Sequence, residues 1–130
     1  MHDSRVRILV VDDSKAMLAM VSKALVQIGC AAGDIVTAVD PLRALDLMAA
    51  QKFDCILSDW NMPNMLGIDF VRQLRANGNV TPFGFITSDA SPTSYFQAME
   101  AGAQFLVNKP FKPEDVATQL RRVGVYFNAK

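Results

Sequence analysis

Five times along this chain a short apolar run gives way to a segment whose apolar residues recur every three or four positions, and that alternation leaves few folds open. Residues 6–11 (VRILVV) read as a buried strand that ends at Asp12 and Asp13. From Ser14 the period changes: Met17, Met20, Val21, Ala24, Leu25 and Ile28 share one helical face, and Gly29 supplies the stop. Residues 35–39 give the second strand, after which Asp40 and Pro41 read as N-cap and first residue of a helix carrying Leu42, Leu45 and Met48. Residues 53–58 (FDCILS) form the third strand, and a loop over 59–67 leads to a helix with Phe70, Val71 and Leu74 inward, closed by Gly78. Residues 82–87 (PFGFIT) are the fourth strand; Ser91 and Pro92 repeat the cap signal before a helix bearing Tyr95, Phe96 and Met99, stopped by Gly102. The fifth strand is 104–108, and Pro113 opens a last helix whose stripe is Val116, Leu120, Val123 and Phe127.

Strands joined by helices through short connections predict an α/β fold: a five-stranded parallel sheet with five helices on both faces, because right-handed crossovers leave few other arrangements. The strands are mostly continuous apolar runs, as burial on two sides requires. A length of 130 residues suits one domain, with a core over about 6–127 and no room for an effector domain. Thirteen basic residues balance thirteen acidic ones, so no overall field favours nucleic acid or an anionic membrane surface. No stretch approaches the roughly 18 apolar residues of a membrane span, and the N-terminus lacks the apolar core of an export signal. A cytoplasmic protein without membrane insertion is the expectation. Cys30 and Cys55 lack the spacing of metal ligands and are expected to be free thiols. His2, in a terminal segment with no partner, is given no role.

In open parallel sheets, ligands sit at the carboxyl ends of the strands, which says where to look for chemistry. Directly after the first strand stand Asp12 and Asp13, after the third Asp59, at the end of the fourth Thr87 and Ser88, and after the fifth Lys109. Taken singly, each is ordinary: an acidic pair before a helix caps it, and a lysine before a helix-start proline is usually solvated. Their joint placement is what those readings leave unexplained. If the strands are ordered 2-1-3-4-5, three carboxylates, a hydroxyl and an ammonium meet at one edge with a net charge near −2. Carboxylates about 4 Å apart repel by roughly 4 kcal/mol per pair at an effective dielectric of about 20, so such a pocket recruits a cation. Oxygen ligands select a hard ion, and Mg²⁺ suits a site of one or two carboxylates that also takes phosphate oxygens. A central carboxylate can itself attack phosphorus to form an acyl phosphate, which nominates Asp59, with Lys109 and Thr87 to hold phosphoryl oxygens.

These residues resemble the receiver domain of two-component response regulators over nearly the whole chain, about residues 6–127. The segment Ser58-Asp59-Trp60-Asn61-Met62-Pro63-Asn64-Met65 is similar to the phosphoacceptor loop of the single-domain chemotaxis members, and Lys109-Pro110-Phe111 matches the family's lysine loop. The resemblance implies the flavodoxin-like strand order 2-1-3-4-5 and a phosphorylation-activated switch that is not an enzyme in the ordinary sense. It implies phosphate transfer from a sensor histidine kinase to Asp59. Asp13 and Asp59 would ligate Mg²⁺ through side chains, Asn61 through its backbone carbonyl and Asp12 through water, while Thr87 and Lys109 hold the phosphoryl group. A downstream protein target would dock on the face made by the fourth helix, fifth strand and fifth helix. Asn61 and Asp89 would flank the path of the hydrolytic water; neither is bulky or basic, which implies a phosphoaspartate of short life.

Three positions depart from the family pattern. Leu66 replaces a commonly acidic residue before Gly67, Ser88 stands where alanine or glycine is usual, and Leu106 replaces an aromatic residue that turns inward on activation. Leucine has no ring and no hydroxyl, so the loop after Thr87 and the start of the fourth helix are expected to carry most of the response. Two rivals fit less well. A phosphatase of the haloacid dehalogenase type places its nucleophile after the first strand as Asp-x-Asp, where this chain reads Asp12-Asp13-Ser14, and needs a cap insertion that has no counterpart here. A flavodoxin-like cofactor binder would have to bring a phosphate against two carboxylates. Within the family, a phosphate sink and a relay intermediate stay open beside a chemotaxis-type output.

Overall fold

A computed structural model describes residues 5–127; His2 lies outside the described residues. Strands β1 (Ile8–Val11), β2 (Ile35–Ala38), β3 (Cys55–Ser58), β4 (Phe83–Thr87) and β5 (Phe105–Asn108) alternate with helices α1 (Lys15–Gln27), α2 (Pro41–Ala50), α3 (Gly67–Ala76), α4 (Pro92–Ala101) and α5 (Pro113–Arg122). All pairings are parallel and the order is β2-β1-β3-β4-β5, as the resemblance implied. One short 3-10 turn, Ala32–Asp34, precedes β2 and was not anticipated.

Period-two alternation along the strands divides the core into two layers. Leu9, Val11, Ile56, Phe83 and Phe85 face α2, α3 and α4, whereas Ile8, Val10, Cys55, Leu57, Ile86, Phe105 and Val107 face α1 and α5. Gly84 is required by this arrangement, since a Cβ there would fall 1.9 Å from the Phe105 ring. Both cysteines are buried and free. Burial pushes the Cys30 thiol up to about 11 and the Cys55 thiol up to about 12, so neither is a thiolate at neutral pH.

The helix starts follow the capping residues. Ser14 accepts a hydrogen bond from the Met17 amide, Asp40 from Arg43 and Ser91 from Ser94, with proline in the first turn of α2 and α4. Four helix-face residues are corrected: Met20, Leu42, Tyr95 and Phe96 are exposed, while Leu18 on α1, Ala44 on α2, and Ser94, Ala98 and Ala101 on α4 take the buried places. The last helix is also shorter than its apolar stripe. It ends at Arg122, Gly124 takes a left-handed φ of 83°, and Val123 and Phe127 reach the core from beyond the helix.

At the amino-terminal edge of the sheet, Arg75 joins three segments. Its Nε donates to the Gly102 carbonyl at 3.0 Å, one terminal nitrogen to the Asn79 and Thr81 carbonyls at 3.0 and 2.8 Å, and the other to Gln104 Oε1 at 3.1 Å. Nearby, Arg7 and Asp54 exchange bonds: the Arg7 amide donates to the Asp54 carboxylate and the Asp54 amide to the Arg7 carbonyl, both at 2.8 Å. Among the described residues no helix is long and apolar enough to cross a membrane.

Candidate functional site

The opposite, carboxyl-terminal edge is held in register by backbone bonds that extend each strand by one rung. Asp12 N–H donates to Ala38 O at 3.1 Å, Asp59 N–H to Val11 O at 2.9 Å, and Lys109 N–H to Thr87 O at 2.7 Å. Neighbouring strands therefore bring Asp12, Asp59, Thr87 and Lys109 to one rim before any side-chain contact is considered. The side chains then converge. Carboxylate oxygens of Asp12, Asp13 and Asp59 all lie within 4.8 Å of one another. Lys109 Nζ lies 3.5 Å from Asp59 Oδ1 and 3.8 Å from Asp12 Oδ2.

Each carboxylate is positioned differently. Asp12 is buried, and its Oδ1 accepts from the Ser14 amide at 2.9 Å, which ties it to the start of α1. Burial, reinforced by the charges of Asp59 and Asp13, raises the Asp12 carboxyl above its ordinary 3.8, against the lowering effects of the Ser14 amide and Lys109. Asp13 is exposed and Asp59 half-buried. Asp59 Oδ1 accepts from the Trp60 amide at 2.8 Å, and the Trp60 ring packs 4.9 Å from that of Phe85. Three carboxylates against one ammonium match a hard divalent cation, and no softer ligand stands among them.

The loop beyond Asp59 is pressed against α3. Gly67 N–H donates to Trp60 O at 2.7 Å, and a Cβ on Gly67 would lie 2.4 Å from the Asp59 carbonyl oxygen and 2.7 Å from the Phe85 ring. Only glycine permits that approach. Asn64 takes a left-handed φ of 74° at the loop's turn, a conformation asparagine tolerates better than most residues. Leu66 caps α3 without a side-chain bond and is exposed, and the Asn61 side chain is exposed.

On the other wall, Thr87 is buried and Ser88 and Asp89 are exposed. Thr87 Oγ1 accepts from the Asp89 amide at 3.1 Å. The Asp89 carboxylate turns toward α4, where it accepts from the Ser91 amide at 3.1 Å and from Ser94 Oγ at 2.8 Å. Sequence reasoning had placed Asp89 only beside the path of water; an Asp two residues before a serine N-cap signals its bond to the Ser91 amide, but no local spacing signals the bond to Ser94, which was missed. Leu106 is half-buried and packs with the Phe85 layer, whereas Phe105 lies in the other layer. The peptide bond between Lys109 and Pro110 is cis.

Comparison with known proteins adds a family to this geometry. The model of the response regulator receiver domain matches residues 8–121. Chemotaxis protein CheY-3 of Vibrio cholerae serotype O1 is 31% identical over 123 residues, 93% of either chain. Chemotaxis protein CheY of Pseudomonas aeruginosa is 30% identical over 119 residues, covering 90% of this chain and 94% of that one. Among solved structures, Vibrio cholerae CheY4 superposes with a TM-score of 0.82 at 36% identity, covering 92% of this chain and 98% of that one.

Proposed function

From the premise that this chain belongs to the response regulator receiver domain family, as a CheY-type signalling switch of two-component systems, we propose that Asp59 is its phosphoacceptor and a sensor histidine kinase its donor. The observation that carries this reading is the Lys109 ammonium lying between Asp59 and Asp12 at the rim, beside a third carboxylate. The Trp60 amide fixes Asp59 Oδ1, so the carboxylate is oriented before a donor arrives. Attack by its other oxygen on the phosphorus of a phosphohistidine forms the O–P bond and breaks the N–P bond, and the departing imidazole takes up a proton. Lys109 balances the charge gathered on the phosphoryl oxygens, and the Thr87 hydroxyl, whose oxygen already accepts from Asp89, has its proton left to donate.

Asp12, Asp13 and Asp59, with the Asn61 backbone carbonyl carried over from the family pattern, would hold Mg²⁺, which when bound offsets carboxylate and phosphoryl charge. As a receiver it works in the cytoplasm. Its output passes to a downstream protein on the face of α4, β5 and α5. Exposed Tyr95 and Phe96 on α4 favour such an output over a pure phosphate sink, since rings left in solvent suit a partner surface.

Acetyl phosphate with Mg²⁺ should add one phosphoryl group to the protein by intact mass. Asp59→Asn should abolish the addition, and Asp13→Ala should slow it at least tenfold. Undiminished labelling of the Asp59→Asn protein would remove Asp59 from this role.

A further inference from the structure

From Thr87 to the second turn of α4 the chain is one hydrogen-bonded unit. Thr87 Oγ1 takes the Asp89 amide, Asp89 Oδ1 takes the Ser91 amide, and Asp89 Oδ2 takes the Ser94 hydroxyl at 2.8 Å. Ser91 Oγ closes the unit by accepting the Ser94 amide at 3.2 Å and meeting Ser94 Oγ at 3.1 Å. Ser94 is buried although serine is polar, and the residues that follow it, Tyr95 and Phe96, are 49% and 63% exposed. The Ser94 hydroxyl, with help from Ser91, holds the Asp89 carboxyl below its ordinary 3.8, so the acceptor is charged at neutral pH and its bonds are charge-assisted. The route through the strand lacks an equivalent. Leu106 contributes only apolar packing to the Phe85 layer and has no group that could report a displacement of Thr87 by a bond.

Resting on the receiver reading above, we propose that the Asp89–Ser94 hydrogen bond is a positioning link that makes the Thr87 loop and the first turns of α4 move as one piece. A change at the phosphoryl pocket then reaches the exposed rings of Tyr95 and Phe96 through α4 and not through Leu106. Two features make this separable from mere helix capping. Ser94→Ala deletes the link while leaving the Ser91 cap on the Ser94 amide, and Asp89→Ala deletes it while keeping the Asp89 amide on Thr87.

The test is amide NMR of the full chain with Mg²⁺, before and after beryllofluoride, in the unsubstituted protein, Ser94→Ala, Asp89→Ala and the double variant. Shift changes at Trp60 and Lys109 report occupancy of the pocket, and those at Tyr95 and Phe96 report arrival at α4. With the link, Tyr95 and Phe96 respond in the unsubstituted protein, and that response falls at least threefold in either single variant while Trp60 and Lys109 respond in full. The double variant should lose no more than Asp89→Ala alone, because that variant already removes the Asp89–Ser94 bond, together with the bond to the Ser91 amide that Ser94→Ala leaves in place. A full response at Tyr95 and Phe96 in Ser94→Ala and Asp89→Ala overturns the link. An unsubstituted protein in which Trp60 and Lys109 do not respond overturns instead the receiver reading beneath it.

Discussion

The two rims of one sheet handle charge in opposite ways. At the amino-terminal rim every named charge is answered by a fixed neighbour. Arg75 spends its donors on three carbonyls and Gln104, Asp54 is tied to the Arg7 backbone, and Asp34 takes the Arg5 guanidinium at 3.0 Å through Nε. At the carboxyl-terminal rim three carboxylates face a single ammonium. Repulsion left standing there costs stability and, on the proposed function, is the condition for capturing a cation and a phosphoryl group. One rim is built to hold the strands together, the other to be completed from outside.

Breaking the satisfied rim should produce the largest effect. Arg75→Ala leaves the Asn79, Thr81 and Gly102 carbonyls without their donor and should cost about 3 kcal/mol, read as a lower urea midpoint, with labelling by acetyl phosphate kept at temperatures where the protein stays folded. Relieving the unsatisfied rim should act with the opposite sign and less strongly. Asp12→Asn keeps an oxygen for the Ser14 amide but removes a negative charge, and should stabilise the Mg²⁺-free protein by about 1 kcal/mol while slowing phosphoryl transfer. A destabilised Asp12→Asn protein would show that Lys109 already balances this rim.

The smallest effect separates the rims by pH. The Arg5 hydrogen bond holds the Asp34 carboxyl below 3.8, so its contribution is present in full above the ordinary carboxylate range and is lost as pH falls through the lowered value. Asp12 is raised, so its contribution is complete below 3.8 and is lost as pH rises through the raised value. In Mg²⁺-free buffer, Asp34→Asn should therefore flatten the loss of stability on the acid side, and Asp12→Asn the loss on the neutral side. The same change of slope from both variants would dissolve the distinction.

Much of this was readable from the chain. Strand runs ending in Asp12, Asp59, Thr87 and Lys109 identify the rim because a strand's last residue has its place fixed by the ladder, whatever the helices do. Helix faces were less legible where the period admits two neighbouring stripes. At about 100° per residue, Met20 falls roughly 40° beyond the arc from Ala24 to Leu18, close enough to look inward on spacing alone. On α2 the fully buried place goes to small Ala44, and Leu42, two residues earlier and so about 200° away round the helix, turns outward despite its hydrophobicity. Arg75 was invisible because nothing local marks it: an arginine near a helix end reads as a charge for the dipole, and its carbonyl partners come from other segments. The Asp89–Ser94 bond likewise depends on how the loop after β4 folds back, which spacing does not report.

Gly67 gives the proposed phosphoacceptor pocket the mechanics of a vice. With hydrogen in place of Cβ, α3 seats directly on the Asp59 carbonyl and the Phe85 ring, so the wall that carries Asp59 is backed by a helix at contact distance and has nowhere to retreat. The wall formed by Ser88, Asp89 and Ala90 is exposed, and hydrogen bonds of Asp89 tie it to Thr87 and α4. On the proposed function, a phosphoryl group added between a fixed jaw and a freer one would direct nearly all the travel to the second. A methyl on Gly67 would loosen the fixed jaw, dividing that travel between α3 and α4 and blunting the signal at both.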